Sequence, residues 1–247
     1  MSPIYILSSL ISIGLIIHCL KTHRRPVWIF LILFLPFIGA LAYFAIELLP
    51  ELMTSRSGRR TMRGIKGALN PEGDLRRLEI EMKVSGNIHA RQRYAEELVR
   101  LGRAKEAVEV YRTSLTGLFA EDPKLLLGYA QAQFAADDAA GARQTLDTLI
   151  DKNPDFKSPD GHLLYARALE AEGNLEKALS EYATLASYYA GAEAGVRYAK
   201  LLKRSGKGPQ ARQILESLLE SAKYAPAHYR RAQREWLDEA AAELRSG

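Results

Sequence analysis

The sequence predicts an all-α chain: an N-terminal two-helix transmembrane hairpin, then a divergent α-solenoid of helical pairs closed by a C-terminal capping helix. Three observations predict it. Alanines at 107, 142, 178 and 211 recur at steps of 35, 36 and 33 residues. Each stands five positions after a turn residue (Gly102, Asp137, Gly173, Gly206) and four before a large apolar one (Tyr111, Leu146, Tyr182, Leu215). Self-similarity near 34 residues marks stacked helix-turn-helix units rather than one globular core. Residues 1–50 are almost wholly apolar, whereas 67–247 are charged and rich in Ala and Leu.

The hairpin comes first, at residues 1–50. Pro3 to Leu20 carries no charge, and Val27 to Ile46 supplies a second apolar run. At about 1.5 Å per residue, eighteen and twenty helical residues reach ~27 and ~30 Å, matching a hydrocarbon core. The link Lys21-Thr22-His23-Arg24-Arg25-Pro26 is short enough to force the helices antiparallel. Trp28, Tyr5 and Tyr43 fall where an aromatic belt is expected. Ser8 with Ser12, and Gly39 with Ala42, offer small faces for close approach, and Pro36 predicts a kink. A cleaved signal peptide would need a basic start, but residues 1–5 carry no charged side chain. Half-insertion of the first helix is the alternative.

Residues 51–70 form a basic juxtamembrane linker. Arg56, Arg59, Arg60, Arg63 and Lys66 are the candidate contacts to lipid headgroups, and Gly58, Gly64 and Gly67 argue against a stable helix. Five cations here against three in the hairpin loop place the repeat domain in the cytoplasm. Residues 1–66 hold eight Lys/Arg and two Glu (net +6), so of the chain's +5 the remainder carries −1. A neutral domain lacks the basic stripe of a nucleic-acid binder. Cys19 stands alone, which excludes an intramolecular disulfide or a cysteine metal cluster.

Residues 71–87 read as a connecting helix, with Pro71 at its first position and Ser85-Gly86-Asn87 as its stop. About four helical hairpins follow over 88–225. Helices A are expected at Ile88–Leu101, Pro123–Ala136, Asp160–Glu172 and Ala192–Arg204. Helices B are expected at Ala104–Phe119, Ala140–Asp151, Leu175–Tyr188 and Pro209–Ala222. The recurrent alanine marks where helix B crosses helix A closely, and the turn residue must accept positive φ. Residues 226–247 supply the cap, with Tyr229, Ala232, Trp236 and Ala240 as its apolar stripe over Ala227–Leu244; self-association through Trp236 is the alternative.

Gly102-x4-Ala107-x3-Tyr111, Gly173-x4-Ala178-x3-Tyr182 and Pro154 resemble the tetratricopeptide repeat family. Arg24-Arg25-Pro26, the aliphatic run after it and Leu35-Pro36-Phe37-Ile38-Gly39-Ala40 resemble the membrane module of the phospholipase D/cardiolipin synthase superfamily. That superfamily's His-x-Lys-x4-Asp motif is absent, so only the anchor is implied. The whole layout resembles bacterial membrane proteins, which implies the inner membrane.

The repeat resemblance implies a concave groove lined by helices A that holds a protein partner. Counting from the alanines, its candidates are Gln92, Glu96, Val99 and Arg100; Leu127, Gln131 and Phe134; Leu163, Arg167 and Glu170; and Val196, Lys200, Lys203 and Arg204. Arg167, Lys200 and Arg204 could hold a carboxylate. His89, His162 and His228 lack partners at metal spacing, and no P-loop, G-x-S-x-G or dinucleotide fingerprint occurs. No catalytic residue, metal, cofactor or small-molecule substrate is expected. The reading is a membrane-anchored adaptor. The alternatives are a structural subunit assembled through the hairpin, or an accessory protein associated with anionic lipid.

Overall fold

Every turn inside the repeat units is built on one backbone device. We describe it from a computed structural model covering residues 71–246. Gly102, Asp137, Gly173 and Gly206 take φ of +76, +65, +80 and +75°. In each case the next residue's N–H returns to a carbonyl five back: Arg103 to Leu98 (2.8 Å), Asp138 to Gln133, Asn174 to Leu169 and Lys207 to Leu202 (2.9 Å each). The turn residue's own N–H bonds three back, to Val99, Phe134, Glu170 and Lys203. This is the Schellman closure, which satisfies the last free carbonyls of helix A and reverses the chain.

The described residues form eleven α-helices. α1 (Pro71–Ser85) precedes four pairs: α2 (Ile88–Arg100) with α3 (Ala104–Ser114), α4 (Pro123–Ala135) with α5 (Ala139–Lys152), α6 (Pro159–Ala171) with α7 (Leu175–Tyr188), and α8 (Glu193–Arg204) with α9 (Gly208–Tyr224). α10 (Ala227–Ala232) and α11 (Arg234–Arg245) finish the chain. Four helix starts are capped by side chains. Asn87 accepts from the Ala90 N–H, Asp122 from Lys124 and Leu125, Asp138 from Gly141 and Ser158 from Gly161. Pro123 and Pro159 open α4 and α6, where no intrahelical N–H is lost.

The stack is held by small residues facing each other. Ala107, Ala142, Ala178 and Ala211 are buried, as are Tyr111, Leu146, Tyr182 and Leu215 one turn on. A second row on helix A, Ala95, Ala130, Ala166 and Ala199, lies twelve residues before the first and is fully buried. Paired alanines let each helix A and B cross without a gap, so the leucines and tyrosines around them can reach van der Waals contact. Four apolar clusters run along the stack, from the group around Leu98 and Leu125 to that around Val196, Leu202 and Leu215.

Two expected helices differ. Helix B of unit one stops at Ser114 rather than reaching Phe119. Gly117 takes φ of +55° and opens a 3-10 turn at Gly117–Phe119, leaving Leu118 almost wholly exposed. The terminal helix is broken at Gln233, whose side chain leaves the helix line to accept the Ala192 N–H (2.9 Å) at the start of α8. α11 then packs against both α8 and α9, the relation α4 and α6 have to the unit before them. It thus covers the apolar side of unit four, with Ala240 buried and Trp236 and Leu244 packed beside Val196 and Leu215.

Among the described residues no helix is long and apolar enough to cross a membrane. The expected hairpin at 3–20 and 27–46, and the basic run Arg56, Arg59, Arg60, Arg63 and Lys66, lie outside them.

Candidate functional site: the helix-A face

Successive A helices put their side chains on one face, which is where the sequence-derived candidates converge. In unit one, Gln92 donates to Glu96 (2.9 Å) one turn along α2. Arg100 grips Glu97 through both its Nε and Nη2, and that guanidinium holds the Glu97 carboxyl below the usual carboxylate range. In unit two, Gln131 is exposed, while Phe134 is half-buried and packs on the Leu126–Leu146 cluster.

Arg167 is the centre of the face. Its guanidinium carbon lies 4.8 Å from the centroid of the Phe134 ring, a cation–π contact bridging units two and three. Its Nη1 is 3.8 Å from Glu193 in unit four. Its Nε is buried and has no hydrogen-bond partner among the described residues. Glu193 in turn accepts from Arg197 (2.7 Å), and Arg197 stacks 5.1 Å from the Trp236 ring of α11. Glu170 accepts from the Tyr182 hydroxyl and from Arg204, each at 2.9 Å. Burial first, and the Glu170 charge second, push the Tyr182 phenol far up.

The C-terminal end is closed by the chain itself. Lys200 meets Glu239 at 2.6 Å. Lys203 meets the Glu243 carboxylate (3.1 Å), the Glu243 carbonyl (3.0 Å) and the Ser246 hydroxyl (3.0 Å). α11 therefore presents acids one turn apart to lysines one turn apart. Such half-exposed pairs contribute little stability singly, but they occupy two cations that the spacing had assigned to a partner. Leu163 and Val196 face the core rather than the groove. Both are buried core, at 4% and 0% exposure, because α7 and α9 press on that side of α6 and α8. The open part of the face runs across units one to three: Gln92, Glu96, Gln131, Phe134 and Arg167, with the Glu170–Arg204 pair at its margin.

One cluster escaped sequence reasoning. His162 bonds the Tyr188 hydroxyl through Nδ1 (2.5 Å) and Glu181 through Nε2 (2.6 Å). It stands in a cleft of about 880 Å³ walled by Ile150, Phe156 and Tyr165. The three partners are 19 and 26 residues apart in sequence and meet only because α6 and α7 pair; no local spacing could have announced them. Among the described residues no three His, Cys, Asp or Glu side chains converge on a metal position.

Residues 98–167 match the tetratricopeptide repeat family, and residues 6–46 match the phospholipase D-nuclease N-terminal family. No curated protein matches the chain. Among solved structures, a thermophilic tetratricopeptide repeat protein of Thermus thermophilus is 17% identical, with a TM-score of 0.56 over 75% of this chain and 96% of its own. MamA is 19% identical, with a TM-score of 0.53 over 66% and 92%. YrrB, described as a tetratricopeptide repeat protein with an unusual peptide-binding site, is 14% identical, with a TM-score of 0.50 over 68% and 92%. At these identities the likeness shows the fold, an all-helical, tetratricopeptide-like array.

Proposed function

We propose that the chain is a membrane-tethered adaptor that recruits a protein partner on the helix-A face of its repeats. The observation that carries this reading is the open strip from Gln92 to Arg167. There a stacked arginine with an unpaired buried nitrogen stands beside an aromatic ring and exposed amides. Such a strip suits an extended peptide: amide side chains bond its backbone, Phe134 takes an apolar residue, and Arg167 takes a carboxylate or a backbone carbonyl. The peptide-binding site named for YrrB supports it by fold likeness alone.

Residues 1–50 anchor the chain in a bilayer, residues 51–70 lie along its headgroups, and the repeats stand on the cytoplasmic face of a bacterial inner membrane. The match at 6–46 supports the anchor. Confinement to a surface raises the effective concentration of a partner without any added contact. The same match favours a second reading, in which the anchor packs into a larger membrane complex.

A photo-crosslinking residue at Gln131 in the full chain, in native membranes, tests the first reading. It captures a partner that Arg167→Glu loses, whereas the same residue at Tyr224 captures none of it. Unchanged capture in Arg167→Glu would sink the groove. Capture that survives Arg167→Glu but vanishes on replacing the 6–46 segment would favour assembly through the membrane.

A further inference from the structure

The cleft that holds His162 lies away from the helix-A strip. It opens between α5 and α7, the B helices of units two and three, and takes in the start of α6. At about 100° per residue, His162 and Tyr165 stand about 140° and 160° around α6 from Arg167. The walls are apolar: Ile150, Phe156, Tyr165 and Tyr188. Ile150 and Tyr188 stay 58% and 49% exposed, whereas Leu146 and Leu149 of α5 are buried. A volume of about 880 Å³ is that of a pocket for a ligand group, not of a packing fault.

The charges around the cleft do not cancel. Residues 147–160 carry four Asp (147, 151, 155, 160) and two Lys (152, 157), so −2, and Glu181 adds a carboxylate from α7. Part of this charge is spent inside the fold. Asp147 is held by Arg143 (2.6 Å), which also serves Glu172 (2.7 Å), and Asp160 accepts from Tyr189 (3.2 Å). Lys157 donates to the Pro154 carbonyl (3.2 Å). Asp151 has only Lys152, at 3.8 Å, and Lys152 is as far from Glu121. Glu181 accepts from His162 through one oxygen, and its other oxygen has no partner among the described residues. His162 also bonds Tyr188, so it fixes an apolar wall and an open acid in one geometry. Exposed apolar walls beside open carboxylates select an apolar group that carries a cation.

We infer that this cleft is a second docking site, for a protein segment that seats an aromatic or aliphatic side chain between Ile150, Phe156, Tyr165 and Tyr188 and sets a neighbouring arginine or lysine on Glu181, with Asp151 adding to the field. The helix-A strip offers Arg167 to a carboxylate, so the two sites take segments of opposite charge. Because they lie on different sides of α6, both can be filled at once. The inference stands whether or not the helix-A strip binds.

The test uses the full chain in neutral detergent and four fluorescent hexapeptides: Gly-Ser-Phe-X-Ser-Gly, with X arginine, glutamine or glutamate, and Gly-Ser-Ser-Arg-Ser-Gly. Anisotropy reads binding. The Phe-Arg peptide binds, and removing its cation or its ring weakens binding about ten-fold, the scale of one charge-assisted bond or one buried side chain. Glu181→Gln keeps an acceptor for His162. It weakens the Phe-Arg peptide by a similar factor and leaves the Phe-Gln peptide unchanged, which a merely structural role would not do. Ile150→Lys, at an exposed position, abolishes binding, Arg167→Glu leaves it intact, and circular dichroism confirms that each variant is folded. Benzoylphenylalanine in place of the phenylalanine crosslinks to α5, α6 or α7 at the cleft. The inference is overturned by no binding of the Phe-Arg peptide, by equal binding of all four, by preference for Phe-Glu, by indifference to both Glu181→Gln and Ile150→Lys, or by crosslinks at Gln131. Phenethylguanidine that binds as tightly as the peptide also overturns it, since the cleft would then be a site for a free cation. Loss of partner capture at Gln131 with Phe-Arg binding retained overturns only the helix-A reading.

Discussion

Gly128→Ala should destabilise the junction between units one and two, although alanine is the better helix former. Gly128 lies in the middle of α4 and faces Tyr111 of α3. A Cβ there would sit 2.4 Å from the Tyr111 hydroxyl oxygen, 2.6 Å from Cζ and 2.8 Å from Cε1. None of these separations is tolerable. The ring is 1% exposed and enclosed by Leu98, Ala107, Leu125 and Ala132, so it cannot swing aside. Helix propensity favours alanine by about 1 kcal/mol. Overpacking a closed core costs about 1–3 kcal/mol, and three contacts on one rigid ring belong at the upper end. The net loss is then about 1–2 kcal/mol, from the difference of these terms. Units two and four carry leucine where unit one has Tyr111, so Tyr111→Leu makes room for the added methyl. The double variant should recover about 1 kcal/mol or more of coupling in a double-mutant cycle. Guanidinium unfolding of the purified chain in mild detergent, followed by far-UV circular dichroism, gives the cycle, and amide exchange in α3 and α4 locates the damage. Gly208→Ala is the control, because nothing lies within 4 Å of its added Cβ. If Gly128→Ala proves as stable as that control, or if Tyr111→Leu does not couple to it, the packing argument fails.

Other consequences can be measured on the same protein. Asp137 is the sole non-glycine at positive φ among the described residues. Asp137→Gly should therefore stabilise by about 0.5 kcal/mol and Asp137→Val destabilise by about 1–2 kcal/mol, in the same unfolding assay. Burial keeps Tyr111 and Tyr182 protonated well above the range of a free phenol, and holds Tyr165 and Tyr189 up to about 12. A raised phenol contributes stability that is complete below pH ~10, where the unfolded chain is still protonated, and is lost as pH climbs toward the folded value. Each fully buried tyrosine should cost about 1.4 kcal/mol per pH unit above 10. Melting followed against pH, with tyrosinate absorbance alongside, would show it, and Tyr182→Phe should flatten the slope. Trp236→Ala removes the half-buried ring under Arg197 and should cost about 2 kcal/mol, roughly half the value for a fully buried ring. Exchange should rise in α8, α9 and α11 and stay unchanged in α2 and α3, because stacked repeats share energy only with neighbours.

The sequence alone determined what is local and repeated. Gly102, Asp137, Gly173 and Gly206 announced the turns because a Schellman closure needs positive φ at one position. The alanine rows announced the helix crossings because a close approach admits only a small side chain. Both constraints act within a few residues, so they are written into spacing, and the repeat period copies them four times. The helix-A candidates were legible for the same reason, since register along a helix follows from counting. Only the tertiary structure decided which of them stay available. Lys200 and Lys203 are taken up by Glu239 and Glu243, some forty residues downstream, Leu163 and Val196 are pressed into the core, and His162 finds Glu181 and Tyr188 across a helix pair. Pairings between distant segments depend on how whole helices dock. That docking is a property of the assembled surface, and no short window of sequence carries it.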